Sequence, residues 1–433
     1  MAVKSWVDIP QGSHFSLANI PFGIVTTPKC ADRHAAIAIG DHVLDLHEFA
    51  QHQGFSELED LTPDQIATFS KPALNDFASL GQTTHNKVRR YLQDILTGET
   101  RFPALLKTNT AAQQACLFHK DQVKTHLPMK IGGFTDFFAG KYHAYKCGRI
   151  LRDPTKALTP NYLHLPIAYN SRASSVIVSG TGVRRPLGQF LQDPTDSEPS
   201  FGPCSQLDIE VELGALVCQG NSLGEPIDVN KADEHIFGFV CLNDWGARDI
   251  YKWESAPLGS FNSKSFATTI SPWVVLKEAL EPFRVRAIEN ETKLQSYLQE
   301  KMTENVYDIK LETVVKAANG DSGTLSRTNG RYLVFSFAQM IAHHTVGGCP
   351  LEVGDLIASG TLAGPEPQSF GCFLEGTNGG KQSIKLSATM KRTYLEDGDS
   401  LNIRGWCGDD ESSLVGFGDC EGTILPSIKP SWM

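Results

Sequence analysis

The stretch Leu207-Asp208-Ile209-Glu210-Val211-Glu212-Leu213 decides how this chain is read. Its period of two predicts a strand running on to Cys218. Leu207, Ile209, Val211 and Leu213 take one face and three carboxylates the other. Same-face side chains two residues apart stand roughly 7 Å from each other, so three anions repel unless water or a cation lies between them. Alternating charge on a strand is commonly a solvated outer sheet face, and taken alone the segment is read that way.

Other carboxylates weigh against that reading. Phe237-Gly238-Phe239-Val240-Cys241-Leu242-Asn243-Asp244 is an apolar run of buried-strand type that ends in an acid. Gly133-Phe134-Thr135-Asp136-Phe137-Phe138 sets Asp136 among aromatics, a costly place for an unpaired charge. Together Asp136, Glu210, Glu212 and Asp244 would make an all-oxygen site, suited to a hard cation such as Mg²⁺ or Ca²⁺ and not to zinc. Sequence spacing alone does not bring the four together.

The composition sets the wider frame. The 433 residues suggest about two or three domains. With 41% hydrophobic and 20% charged residues, the chain is an ordinary soluble protein and not a disordered one. Asp and Glu outnumber Lys and Arg 49 to 39, a formal charge of -10, which argues against nucleic acid or an anionic membrane as partner. None of the ten cysteines sits in a C-x-x-C pair, so they are read as reduced, mostly buried thiols. The N-terminal stretch lacks a signal-peptide core, no run reaches the roughly 18 apolar residues of a membrane span, and the final Ser-Trp-Met is no peroxisomal address. A cytoplasmic setting is the expectation.

Along the chain, Ala36-Ile37-Ala38-Ile39, Gly40-Asp41 and His42-Val43-Leu44-Asp45-Leu46 predict a hairpin with a tight turn. Thr62-Pro63-Asp64-Gln65 combines an N-cap, a Pro at the first helical position and a Gln at the third. Val88, Leu92, Ile95 and Leu96 predict a surface helix over 85–97. The polar segment 107–125 is read as a bridge into a second unit, with the boundary at 128. Beyond it the pattern predicts strands at 174–179, 207–218, 309–315, 383–390 and 401–406, helices at 291–303 and 333–344, and a surface loop at 193–200. His343 and His344 are read as structural, and Arg184, Arg185 and Lys252 as surface charges.

Several motifs in one order then resemble the fumarylacetoacetase (fumarylacetoacetate hydrolase) family over essentially the whole length. They are Thr135-Asp136-Phe137, His143-Ala144, Asn161-Tyr162-Leu163-His164-Leu165-Pro166, Arg172-Ala173-Ser174-Ser175 and the 207–212 stretch. Asn243-Asp244-Trp245-Gly246-Ala247-Arg248-Asp249 follows, then Lys264 to Trp273, Gly354 to Thr361, and Ser369-Phe370-Gly371-Cys372-Phe373-Leu374-Glu375. The resemblance implies a mainly β fold with some α. It would comprise a small N-terminal SH3-like barrel with linker helices (1–128) and a mixed β-roll catalytic domain (129–433), paired as a homodimer. It implies metal-dependent hydrolysis of a carbon–carbon bond in a small 1,3-diketo acid.

Carried over position by position, Asp136, Glu210, Glu212 and Asp244 would hold the divalent cation. His143 would be the base, with Glu375 beside it, and Arg248 and Lys264 would stabilise negative charge. Arg152, Tyr169 and Thr361 would hold the substrate, and Lys264, Ala267 and Thr268 would surround a second, structural cation. The chemistry agrees, because splitting a β-diketone with water needs a base near neutral pH and donors for an oxyanion. Four places depart from the family's usual pattern. Phe138 replaces a Tyr, Tyr251 a Gln, Asn170-Ser171 a His-Gly pair, and Lys141-Tyr142 an Arg-Gln pair. Three readings stay open at this point: fumarylacetoacetate hydrolysis in aromatic amino-acid breakdown, a divergent enzyme on another β-keto or acylpyruvate compound, and a binding protein that kept the fold.

Overall fold

The computed structural model describes residues 4–432. The expected hairpin forms from His34–Ile39 and His42–Asp45. Gly40 turns it at φ +55°, where a Cβ would fall 2.5 Å from the Asp8 carbonyl oxygen. Thr62 and Gln65 make the expected capping box on Pro63–Ala67. The helix read at 85–97 spans Gln82–Leu96 and is no surface helix, since His85, Arg89 and Tyr91 are buried along with its apolar stripe.

The segment 107–125 is not a bridge. It folds into the helix Thr110–Cys116 and the strands Leu117–His119 and Lys124–His126. Those two strands flank the hairpin and Phe22–Thr26 in a five-stranded antiparallel sheet, the small barrel-like unit that the resemblance implied. Short, polar strands such as Lys124–His126 suit a sheet edge and read like a linker in sequence.

Most of the rest is two sheets. An eight-stranded mixed sheet runs in the order Ala168–Asn170, Phe134–Phe137, Leu356–Ala358, Val211–Val217, Ile236–Asp244, Thr268–Ile270 and Val176–Val178, with Val275–Leu276 also paired to Ile236–Asp244. A five-stranded sheet of Ser322–Asn329, Lys310–Lys316, Ser400–Cys407, Val415–Leu425 and Val183–Arg184 packs on one of its faces. The N-terminal unit covers the other face, where Phe22, Phe77 and Leu92 share a core with Leu216, Phe237, Val240 and Leu242. Burial on both faces is why Ile236–Asp244 reads as a continuous apolar run.

Local hydrogen bonding overrides the helical and strand patterns in four places. Asn290 accepts the amide of Thr292 at 3.0 Å and donates to Leu163, so 291–303 keeps only the short turn Ser296–Leu298. Ser336 caps the helix read at 333–344, which spans Phe337–Thr345. Ser387 accepts the amides of Thr389 and Met390, which leaves only Ile384–Lys385 extended in 383–390. A single turn at Ala173–Ser175 shortens the strand read at 174–179 to Val176–Val178. Arg185 is no loose surface charge either, since it pairs with Asp397 at 2.7 Å and donates to the Cys204 and Leu395 carbonyls.

Phe237 makes the shared core testable. Its ring meets Phe77 at 5.9 Å and His85 at 4.9 Å, both edge-on. Phe237→Ala is expected to cost about 3–5 kcal/mol in chemical denaturation, with the N-terminal unit and the large sheet unfolding in one transition. A loss below about 1 kcal/mol, or separate melting of the N-terminal helices, would contradict a common core.

Candidate active site

Sheet register gathers three of the four expected ligands. Asp136 pairs with Ala358, which pairs with Gly214, two residues along from Glu212. Glu212 sits opposite Leu242, two residues before Asp244. By alternation these carboxylates share a sheet face with Phe134, Leu216 and Leu242, at the end of the strands. The fourth arrives through an interruption, since the strand read as 207–218 breaks between Leu207–Asp208 and Val211–Val217. Glu210 lies in that break, fixed by its amide to Asn243 Oδ1 at 3.0 Å and its carbonyl to the Asp244 amide at 3.1 Å.

The solvated-face reading fails here, because Asp136, Asp208, Glu210, Glu212 and Asp244 are all buried. Two basic side chains answer these five acids. Lys264 Nζ contacts Glu210 Oε2 and lies 2.8 Å from Asp244 Oδ2. Arg248 Nε donates to Asp208 Oδ2 at 2.8 Å, and its Nη2 stands 2.8 Å from Glu210 Oε1. Tyr169 and Thr268 donate to Asp244 at 2.9 and 2.7 Å, and Thr361 approaches Glu212 at 3.4 Å.

Asp136 Oδ1 and Glu212 Oε2 are buried with no hydrogen-bond partner among the described residues. One oxygen from each of Asp136, Glu210 and Glu212 lies within 4.8 Å of the other two. Burial, then the neighbouring carboxylates, pushes Asp136 and Glu212 well above the usual carboxylate range. Burial also works against the charge of Glu210, but Lys264 and Arg248 hold it down at about 2. Orphaned oxygens in an all-oxygen set with excess negative charge fit a hard divalent cation.

His143, on the helix Lys141–Leu151, points its Nδ1 at Glu375 Oε1, 2.6 Å away. Burial lowers its basicity, yet the Glu375 carboxylate outweighs that and the pair keeps its proton up to about 10. The same Glu375 oxygen accepts the Gly371 amide at 3.0 Å. A Cβ on Gly371 would fall 2.3 Å from Thr361 Cγ2 and 2.7 Å from the Leu362 carbonyl, so only glycine permits that approach. Phe138 packs edge-on against His143 at 5.5 Å and against Tyr162 at 5.8 Å.

Asp208 is the group that the sequence reading missed. Its two oxygens accept the amides of Phe373 and Leu374 at 2.7 and 2.9 Å as well as the Arg248 guanidinium. It thereby ties the turn that carries Glu375 to the arginine that faces Glu210. Its place in the 207–213 alternation was the available signal, and the solvated-face reading hid it. Cys147 and Cys372, both in contact with His143, were also missed.

Other expected residues stand further off. Arg152 is exposed at the end of the His143 helix and donates to the Ala157 carbonyl at 2.8 Å. Tyr251 is half-buried on Arg248–Glu254. Ala267 is buried beside Thr268, whose hydroxyl is already given to Asp244. Asn170 lies 3.4 Å from the Thr135 hydroxyl, and Tyr142 packs edge-on against Tyr332. His343 and His344 bond to Tyr297 and Thr135, as structural histidines do.

The raised carboxylates set a sign for pH dependence. Asp136 and Glu212 have folded pKa values above their unfolded ones, so metal-free folded protein binds more protons than the unfolded chain, and its stability falls as pH rises. Glu210 acts in the opposite sense, but its contribution is lost only as pH falls toward about 2. In chelator, thermal unfolding is expected at a lower temperature at about pH 8 than at about pH 5, and Mg²⁺ or Ca²⁺ should close the gap. Asp136→Asn with Glu212→Gln should flatten the dependence and remove the cation's effect. An unchanged slope in that double variant would contradict the assignment.

Comparisons with known proteins point to one family. The family model "Fumarylacetoacetate (FAA) hydrolase C-terminal" matches residues 135–425, and "Fumarylacetoacetase N-terminal" matches 18–128. A fumarylacetoacetase from Aspergillus fumigatus is 51% identical over 431 residues, covering 99% of both chains. The Homo sapiens fumarylacetoacetase is 41% identical over 431 residues, covering 99% of this chain and 100% of that one. A solved fumarylacetoacetate hydrolase from psychrophilic Exiguobacterium antarcticum shares the fold, with a TM-score of 0.51 at 15% identity over 94% of this chain and 99% of that one. Two family models that together span most of the chain, and relatives matched from end to end, establish that it belongs to the fumarylacetoacetate hydrolase family.

Proposed function

We propose that this enzyme hydrolyses fumarylacetoacetate at a carbon–carbon bond to give fumarate and acetoacetate. The observation that carries the reading is the buried His143–Glu375 pair standing in one site with a carboxylate cluster that has two orphaned oxygens. Relatives of 39–51% identity that bear the name fumarylacetoacetase favour this substrate over another acylpyruvate. The alternative reading rested on Phe138, Tyr251, Asn170-Ser171 and Lys141-Tyr142, which leave the acids, His143 and Glu375 untouched.

In the metal-free site Glu375 holds the imidazolium up to about 10. With that charge offset by a dication at the neighbouring carboxylates, Nε2 is free, and there His143 takes the proton of the attacking water while Glu375 holds Nδ1. Lys264 and Arg248, fixed by Glu210, Asp244 and Asp208, offer charge-assisted donors to the oxyanion of the tetrahedral intermediate. Asp136, Glu210, Glu212 and Asp244 would hold a Mg²⁺ or Ca²⁺ ion, which when bound supplies Lewis acidity to a diketo oxygen. His143 then returns its proton to the carbon of the departing acetoacetate fragment, so the pair ends as it began. Tyr169, Thr361, Phe138 and Tyr251 shape the substrate pocket. Arg152 would reach a substrate carboxylate only by leaving the Ala157 carbonyl.

The finer parts of the proposal rest on the family resemblance. They are the second cation at Lys264, Ala267 and Thr268, the division at 128, the homodimer, the cytoplasmic setting and a place in tyrosine and phenylalanine catabolism. No helix among the described residues is long and apolar enough to cross a membrane.

Purified enzyme assayed on fumarylacetoacetate, acylpyruvates and oxaloacetate is expected to prefer the first. Chelation should abolish turnover, and Mg²⁺ or Ca²⁺ should restore it. His143→Ala and Glu375→Gln should each lower kcat at least about a hundredfold. The double variant should be little worse than the worse single, because the two act as a unit. Wild-type turnover in His143→Ala, or full activity without metal, would overturn the mechanism.

A further inference from the structure

Cys147 lies one helical turn beyond His143, and Cys372 approaches the same imidazole from the turn that carries Glu375. Cys147 Sγ is 3.6 Å from His143 Nδ1 and 3.7 Å from Nε2. Cys372 Sγ is 4.0 Å from Nδ1 and 3.5 Å from Glu375 Oε1. One donor atom from each of the four residues lies within 4.8 Å of all the others, and all four residues are buried. Bonds of about 2.0–2.3 Å around a tetrahedral zinc-type ion put neighbouring donors about 3.3–3.8 Å apart, close to this spacing. Only Nδ1 and Glu375 are closer, at 2.6 Å, because they share a proton. An ion in place of that proton needs the pair to open by about 0.7 Å.

We propose that His143, Cys147, Cys372 and Glu375 form a second metal site, selective for a thiophilic dication of the zinc class, and that its occupation switches the enzyme off. Two sulfurs and an imidazole select a softer ion than the all-oxygen cluster does, so the two sites discriminate by ligand chemistry. Binding releases both thiol protons to solvent, while the proton that His143 shares with Glu375 moves from Nδ1 to Nε2, with no change of oxidation state. Lys146, 3.9 Å from Glu375 Oε2, offsets part of the negative charge. An ion on Nδ1 takes Glu375 away from the imidazole and leaves His143 unable to accept a proton from water. This inhibition rests on His143 being the base, whereas the binding does not.

The test uses enzyme saturated with Mg²⁺ in a phosphine reductant, which excludes disulfides. Cd²⁺ is titrated as a spectroscopic probe, and Zn²⁺ in a metal buffer as inhibitor. Wild-type enzyme is expected to show a cadmium–thiolate ultraviolet band that Cys147→Ala with Cys372→Ala loses. Zinc-free turnover of that variant sets the baseline against which its inhibition is read. Half-inhibition of the variant should need at least about tenfold more free Zn²⁺ than wild type needs, and extra Mg²⁺ should not relieve wild-type inhibition. Should the alanine variant fail to fold, the two serine substitutions give the same readouts. Equal zinc sensitivity in wild type and variant, or relief by Mg²⁺, would overturn the proposal, because zinc would then be displacing the hard cation. A thiolate band without inhibition would uphold the site and overturn His143 as the base.

Discussion

Five buried carboxylates facing two basic side chains constrain everything else in this structure. Such an excess of negative charge is unfavourable in a low-dielectric interior unless a rigid frame holds it and a cation offsets it. The frame is the large mixed sheet, packed on both faces. Its strand ends carry Asp136, Glu212 and Asp244, and an interrupted strand adds Glu210. The N-terminal unit closes one face and shares its core, which binds the stability of the site to a region more than a hundred residues away in sequence.

Asp208 shows how the two halves of the chemistry are coupled. One carboxylate holds both the Arg248 guanidinium and the first amides of the Phe373–Gly376 turn. Arg248 faces the carboxylate cluster through Glu210, and the turn presents Glu375 to His143. Arg248 and the turn that carries Glu375 therefore share an anchor that touches neither His143 nor the orphaned oxygens. Asp208 is a positioning residue.

Much of this was legible before any coordinates. The hairpin at Gly40, the cap at Thr62 and the apolar run into Asp244 follow from local rules, and the structure bears them out. Asp136, Glu210 and Glu212 were legible as oxygen donors; register places Asp136 and Glu212, and a break in the strand brings Glu210 beside them. What stayed hidden was set by tertiary contacts. Burial of Asp208 depends on backbone amides 165 and 166 residues further on. The strands at 117–119 and 124–126 look like linker until their partners at 42–45 and 22–26 are known. Asn290 and Ser387 defeat helix and strand patterns through side-chain bonds to nearby backbone that a period count cannot register.

The central claim is that the orphaned carboxylates, pushed by burial above the usual carboxylate range, form the site of a hard cation. Calorimetric titration of metal-free enzyme with Ca²⁺ near neutral pH, repeated in buffers of different ionisation enthalpy, tests it most directly. Binding at the carboxylate cluster should release protons from Asp136 and Glu212, and Glu212→Gln should weaken binding without unfolding the chain. Binding with no proton release, or affinity unchanged in Glu212→Gln, would contradict the account.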